Sequence, residues 1–381
     1  LKKPVEKLSV GYSAVSLTPP MLTSTAGYGN RRGKSYTGVR DSLYVRSMVI
    51  ENGVERVAIV SADLLIIPPT VTEALGNRLK GIGFNLDNTY LSATHTHNSI
   101  GNWGEGATRF IYGKYEERVV EFIVEQIVKS VRIASENTRK ADIKMGLISI
   151  PDAVNNRLVS GGSEDAGLRV MEVHRDDSTK LLLMAFNAHA TCLFSKDLEL
   201  SRDYPGALVD RMEAKGYSFA MFVAGAMASH GFGASTAGGE CIDWMAEEIS
   251  TKFFANRHAL EPMNDSTIAM VRVPLLLSDP QVKISENLKV RAWLFRSAFG
   301  KYPVFLTGLR IGRIIFLGTP CDFSGAFNPK IDSVASRRGL LPVVTSFNGG
   351  YIGYLTPREY YDYDHFVTRF MHWDGAVTGV Y

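Results

Sequence analysis

Eight histidines are scattered through the 381 residues, and only His95 and His97 stand close together, in Ser92-Ala93-Thr94-His95-Thr96-His97-Asn98-Ser99. Side chains two apart point the same way on an extended backbone, so both imidazoles would face one cleft. An H-x-H pair at a strand end is a recurrent metal-ligand arrangement, because imidazole nitrogen suits Zn²⁺ and similar ions. The competing reading is a pair of polar residues in a surface loop. His189 follows the apolar run Leu181 to Phe186, where α/β proteins present catalytic groups; its alternative is a core histidine bonded to backbone. Asp322 holds the same kind of place, after the run ending Leu317-Gly318-Thr319-Pro320. Three strand-to-loop junctions thus offer two imidazoles and a carboxylate. A catalytic zinc takes such a set while leaving one position for water.

The apolar pattern supplies elements that end where these residues begin. Val45 to Ile50 and Arg56 to Ser61 read as strands around the turn Asn52-Gly53, and Tyr90 to Thr94 as a short buried strand. Leu181 to Phe186 and Phe219 to Ala224 have strand length, and Val304 to Leu309 with Arg313 to Leu317 form a hairpin through Ile311-Gly312. Helical spacing marks Pro68 to Leu79, Tyr115 to Ala134, Pro205 to Lys215 and Cys241 to Phe254. The last fifty residues, rich in Gly, Tyr and Pro, read as functional loops. No internal repeat is visible. The pattern predicts a mixed α/β fold, β-sheets layered with helices, in one domain covering nearly everything.

Bulk composition excludes more than it assigns. With 45% hydrophobic residues, disorder is excluded for the bulk. No apolar stretch reaches the roughly 18–20 residues that span a bilayer. Forty-two Lys and Arg against 39 Asp and Glu leave a net charge of +3, which is no nucleic-acid footprint. The cysteines Cys192, Cys241 and Cys321 stand far apart without C-x-x-C spacing, so neither a disulfide scaffold nor a cysteine zinc site is expected.

Taken in order, several blocks resemble the neutral, or alkaline non-lysosomal, ceramidases, zinc amidases that split the N-acyl bond of ceramide. These are Gly27-Tyr28-Gly29, Gly38 to Ile50, Val60-Ser61-Ala62-Asp63, and Ser92 to His97, which is similar to the family's Ser-Gly-Thr-His-Thr-His. Asn156-Arg157, Asn187 to Thr191, Pro320-Cys321-Asp322-Phe323 and Gly350 to Thr356 follow. The resemblance implies one zinc ion per chain, held by His95, His189, Asp322 and Tyr354. It places His97 beside the metal and gives Arg157 to the developing oxyanion. It also implies secretion or a periplasmic location, and a single catalytic domain over 1–381 without the C-terminal immunoglobulin-like domain of the long ceramidases.

This chain departs from the family pattern in places. Asp322 stands where the family has Glu, one methylene longer. The family's Gly-Asp-x-Ser-Pro segment is replaced by Ala224 to Ser235, so Ser235 and Ser229 both compete for the serine position, with His230 a further candidate. The second active-site tyrosine is Phe366, for which Tyr361, Tyr363 or His365 could substitute. The expected function is a zinc-dependent hydrolase of an N-acyl bond, acting on a small-molecule or lipid substrate. The alternatives are a zinc deacylase or esterase for acylated sugars or other small amides, and an inactive binding protein on the same fold. No nucleic-acid partner is expected. Peripheral membrane contact is allowed, and oligomeric state is not readable from the residues.

Overall fold

Asn52-Gly53 reverses the chain as expected. The Asn52 side-chain carbonyl accepts from the N–H groups of Val54 and Glu55 (3.1 and 2.9 Å), and Gly53 takes φ 80°, the left-handed region that glycine tolerates. The structure is a computed structural model that describes residues 6–277, 279–280, 283–285, 288–294 and 302–360. Phe366, Tyr361, Tyr363 and His365 lie outside the described residues.

Around that turn the chain builds a unit of three antiparallel strands, a crossover helix and a fourth strand parallel to the third. The unit comprises β1 (Ser9–Ser16), β2 (Tyr44–Glu51), β3 (Arg56–Ala62), α1 (Pro69–Arg78) and β4 (Thr89–Ala93). After α2 (Glu117–Glu136) the same plan returns in β5 (Arg139–Ser149), β6 (Gly167–Arg175), β7 (Lys180–Phe186), α3 (Asp203–Ala214) and β8 (Phe219–Ala224). α4 (Gly239–Asn256) and β9 (Glu261–Met263) lead to a third copy: β10 (Ile268–Pro274), β11 (Phe305–Ile311), β12 (Ile314–Gly318), α5 (Asn328–Ser336) and β13 (Leu341–Thr345). The repeat is one of topology, which explains why residue identities do not show it.

The first two units join through an antiparallel β1·β5 contact into one nine-stranded sheet, in the order β8-β7-β6-β5-β1-β2-β3-β4 with β9 beside β5. Successive residues of β7 serve opposite faces. Leu182, Met184 and Phe186 pack with α3 and α4, whereas Leu181, Leu183 and Ala185 pack against Leu309, Ile311 and Phe316 of the third unit's sheet. Both faces are buried, which is why this strand reads as a continuous apolar run. The sheet also curls, so that Ser61 Oγ on β3 donates to the Phe222 carbonyl on β8 (2.5 Å). No helix among the described residues is long and apolar enough to cross a membrane.

Two expectations need correction. Leu341–Thr345, inside the stretch read as loops, is a strand that pairs with β12 and buries Val343 and Val344. Cys192 and Cys241 form a disulfide. Their sequence separation of 49 gives no spacing signal; the fold closes the first turn of α4 onto the loop after His189, where Gly238 N–H donates to the Cys192 carbonyl (2.8 Å). By chain entropy, a loop of this length makes the bond worth about 4 kcal/mol. Cys192→Ser with Cys241→Ser is expected to lower the unfolding free energy by that order, read from urea midpoints at constant slope. A loss below about 1 kcal/mol would show that the oxidised protein does not depend on the bond.

Candidate metal centre

His95 follows β4 by two residues, but not on an extended backbone: it takes φ 62°. The H-x-H pair converges through this left-handed turn rather than through the pleat, with His95 and His97 rings edge to face and their Nε2 atoms 3.1 Å apart. Phe347, which also holds a positive φ (67°) two residues past the fourth strand of its unit, stacks flat on His95 at 3.9 Å. His95 Nδ1 lies 2.7 Å from the Leu65 carbonyl and His189 Nδ1 lies 2.8 Å from that of Met227. A carbonyl only accepts, so both rings carry their proton on Nδ1 and present a bare Nε2. These two lone pairs face each other across 3.2 Å.

Asp322 closes the third side. The two-residue ribbon Asp322–Phe323 runs parallel to Tyr354–Leu355 with Asp322 directly opposite Tyr354, which accounts for their meeting from distant segments. Asp322 Oδ2 lies 3.3 Å from His189 Nε2 and 4.0 Å from His95 Nε2. The carboxylate is fully buried, and neither oxygen accepts a well-formed hydrogen bond among the described residues.

Protonation states fit a cation. Burial would raise the Asp322 pKa, but the His189 and His95 imidazoles and the Arg157 guanidinium more than offset it and hold it below the usual carboxylate range. Burial lowers His95 to about 3 and, with Arg157, also lowers His189. Neutral imidazoles and an ionised carboxylate are the forms a divalent metal requires. Two of the three donor spacings, 3.2 and 3.3 Å, match neighbouring donors of a tetrahedral zinc, about 3.3 Å from its usual bond lengths, and the third, His95 to Asp322, is longer at 4.0 Å. A buried carboxylate beside two unprotonated Nε2 atoms that face each other is a donor set that fits a cation, with the Arg157 guanidinium at its edge.

His97 differs from its two neighbours. Its Nδ1 has no partner among the described residues, and burial holds its pKa well below the ordinary value. Its ring is fixed by packing on Tyr28 at 4.8 Å. Arg157 places Nη2 3.2 Å from His189 Nε2 and 3.4 Å from the Tyr354 hydroxyl. Burial and the charge of Asp322 push the Tyr354 pKa up, so its phenol keeps its proton.

The replaced serine segment lies just behind. Short strands Val154–Asn156 and His230–Phe232 pair, and Arg157 is held there by the carbonyls of Ser229 (2.9 Å, from its N–H) and Ala228 (3.0 Å, from Nε). His230 Nε2 accepts from Asp165 N–H (2.9 Å), so its proton sits on Nδ1 and points at Ser229 Oγ (3.0 Å). In that tautomer His230 cannot take a proton from Ser229. Ser229 Oγ also pairs with Ser324 Oγ at 2.6 Å, and both residues are buried. The Ser229 carbonyl positions Arg157, and the His230 carbonyl accepts from the His189 N–H (3.2 Å). Ser235 stands apart, exposed in the loop after Phe232. Phe347 had no sequence signal as a site residue, and Tyr28 lies in a block of the family resemblance that assigned it no role, because stacking partners carry no spacing of their own.

Residues 9–241 match the family described as neutral/alkaline non-lysosomal ceramidase, N-terminal. The chain belongs to that family. The matched region of this ceramidase family contains His95, His97, Arg157 and His189, whereas Asp322 and Tyr354 lie beyond it. Two solved structures share the fold. The neutral ceramidase from Pseudomonas aeruginosa superposes with a TM-score of 0.84 at 16% identity, over 98% of this chain and 72% of that one. A ceramidase complexed with C2 superposes with a TM-score of 0.87 at 16% identity, over 98% and 73%. The ceramidase fold thus extends through the third unit, which carries Asp322 and Tyr354.

Proposed function

We propose that the protein is a zinc-dependent hydrolase of an N-acyl amide bond, ceramide-like in the bond it cleaves. The observation that carries this reading is the pair of opposed, bare Nε2 atoms beside an ionised and fully buried Asp322, with the Arg157 guanidinium at their edge. His95, His189, Asp322 and Tyr354 would hold the ion, which when bound supplies a water of pKa about 7 and a Lewis acid. Arg157, fixed by the Ala228 and Ser229 carbonyls, donates to the oxygen that gains charge as the amide carbonyl becomes tetrahedral. His97 Nε2 faces the unprotonated His95 Nε2 at 3.1 Å and so carries the proton, which it would pass to the departing amine. Its Nδ1, with no partner among the described residues, would take up the replacement.

A second reading, a deacylase or esterase for short acyl groups such as those on sugars, draws on one observation. Ala224 to Ser235 replaces the family's Gly-Asp-x-Ser-Pro segment beside Arg157, and the apolar cluster there is small, Ala228 and Tyr354 with Leu158 against them. Turnover of ceramides of graded acyl length, set beside N-acetyl and O-acetyl sugars, separates the two. The amide reading expects ceramide cleavage that a chelator stops and added zinc restores. Cleavage of acetyl sugars alone would transfer the assignment to the second reading.

A further inference from the structure

Among the described residues Arg31 is the largest of the fully buried side chains, 2% exposed, yet no catalytic reading uses it. Its guanidinium makes six hydrogen bonds, all to neutral oxygens. Nε donates to the Ser195 carbonyl (3.0 Å); Nη1 donates to the carbonyls of Ala26 (3.2 Å) and His97 (2.6 Å). Nη2 donates to Asn98 Oδ1 (3.0 Å) and to the carbonyls of Phe194 (3.2 Å) and Asp197 (2.8 Å). Isolating a cation among neutral acceptors is costly, so the site is built around the fork geometry of this one side chain.

The three segments it joins are informative. One is its own, residues 26–31, where Tyr28 lies under the guanidinium (4.7 Å) and against the His97 ring (4.8 Å). Gly27, at φ 127°, comes so close to His97 that a β-carbon there would lie 2.2 Å from the His97 carbonyl oxygen. The second segment is the loop bearing His97, and the third is residues 193–197, which continue from His189. Asn98 ties the same loops again by donating to the carbonyls of Asp197 (2.8 Å) and Glu199 (2.7 Å). His95 and His189 are oriented by a carbonyl on Nδ1; His97 has none.

We propose that Arg31 is a positioning residue that clamps the His97 loop to the loop following His189 and, with Tyr28, aims His97 Nε2 at the His95–His189–Asp322 centre. The proposal rests on the reading of that centre as a hydrolase site. Of the side chains at the centre, only His97 has its own backbone carbonyl bonded to Arg31, whereas His95 and His189 are oriented by the Leu65 and Met227 carbonyls. Losing Arg31 therefore disturbs proton transfer and leaves the metal-binding side chains in place.

The test is hydrogen–deuterium exchange on the full chain for wild type, Arg31→Lys and Arg31→Met. Arg175→Lys serves as control, since Arg175 is also buried and stacks on an aromatic ring, that of Tyr12, outside this site. Backbone exchange over 94–98 and 193–199 is expected to rise at least about tenfold in both Arg31 variants and not in the control. Zinc content should stay at the wild-type level, while kcat falls about thirtyfold with KM changed less than about threefold. Unchanged exchange in both segments, or zinc lost together with kcat, overturns the proposal. If Arg31→Met does not fold, the lysine variant decides, because it keeps the charge and loses the fork. If wild type cleaves no amide, the hydrolase reading fails, and exchange and zinc content still judge the clamp.

Discussion

Purified His95→Ala/His189→Ala protein is expected to contain no zinc and to hydrolyse amides at least about 10⁴-fold more slowly than wild type, roughly 5.5 kcal/mol of lost transition-state stabilisation. The size of the effect follows from the donors. Removing both imidazoles takes away two of the three side chains whose donor atoms lie 3.2 and 3.3 Å apart, and leaves buried Asp322 with only the Arg157 charge to offset it. Folding should survive, because each substitution trades a buried polar ring for a small cavity, about 2–4 kcal/mol. Elemental analysis and kcat/KM on the same preparation check the result. Stoichiometric zinc in the double variant would sink this ligand set. Full activity in a metal-free double variant would sink metal catalysis altogether.

Replacing Arg157 with methionine should separate binding of the ion from stabilisation of charge. Methionine keeps most of the side-chain length and removes the donors. The expected result is a drop in kcat of about 10²–10³, or about 3–4 kcal/mol, with zinc content intact. Arg157 also lowers the pKa of His189, so its loss makes that imidazole slightly more basic. This second effect is small while His189 is committed to a metal, and the oxyanion contribution dominates. A rise in KM with kcat unchanged would show that Arg157 binds substrate and transition state equally, contrary to the role given to it.

Much of this centre is legible in the residues themselves. His95 and His189 follow apolar runs of strand length, and such a run that stops at a polar residue marks a strand end. Arg157 is reached only through a family resemblance, since a lone arginine in a polar loop has no pattern. The pairing of Asp322 with Tyr354 is equally beyond periodicity: it depends on a ribbon of two residues per strand. Strand β5 is absent from the sequence reading although Ala141, Ile143 and Met145 alternate, because Arg139, Lys140, Asp142 and Lys144 leave no continuous apolar run there. The roles of Ser229 and His230 turn on which ring nitrogen accepts an N–H, and composition holds no trace of that.

The threefold return of one strand-helix plan has a consequence for how the protein matures. His95 comes from the first unit, His189 from the second, 94 residues later, and Asp322 from the third. No unit can assemble the ligand set alone. Each can form its own local strand contacts early, but the centre exists only once all three have docked. On the proposed reading, the complete ligand set would therefore form only after the three units dock, and ion binding would report on the native arrangement of the whole chain.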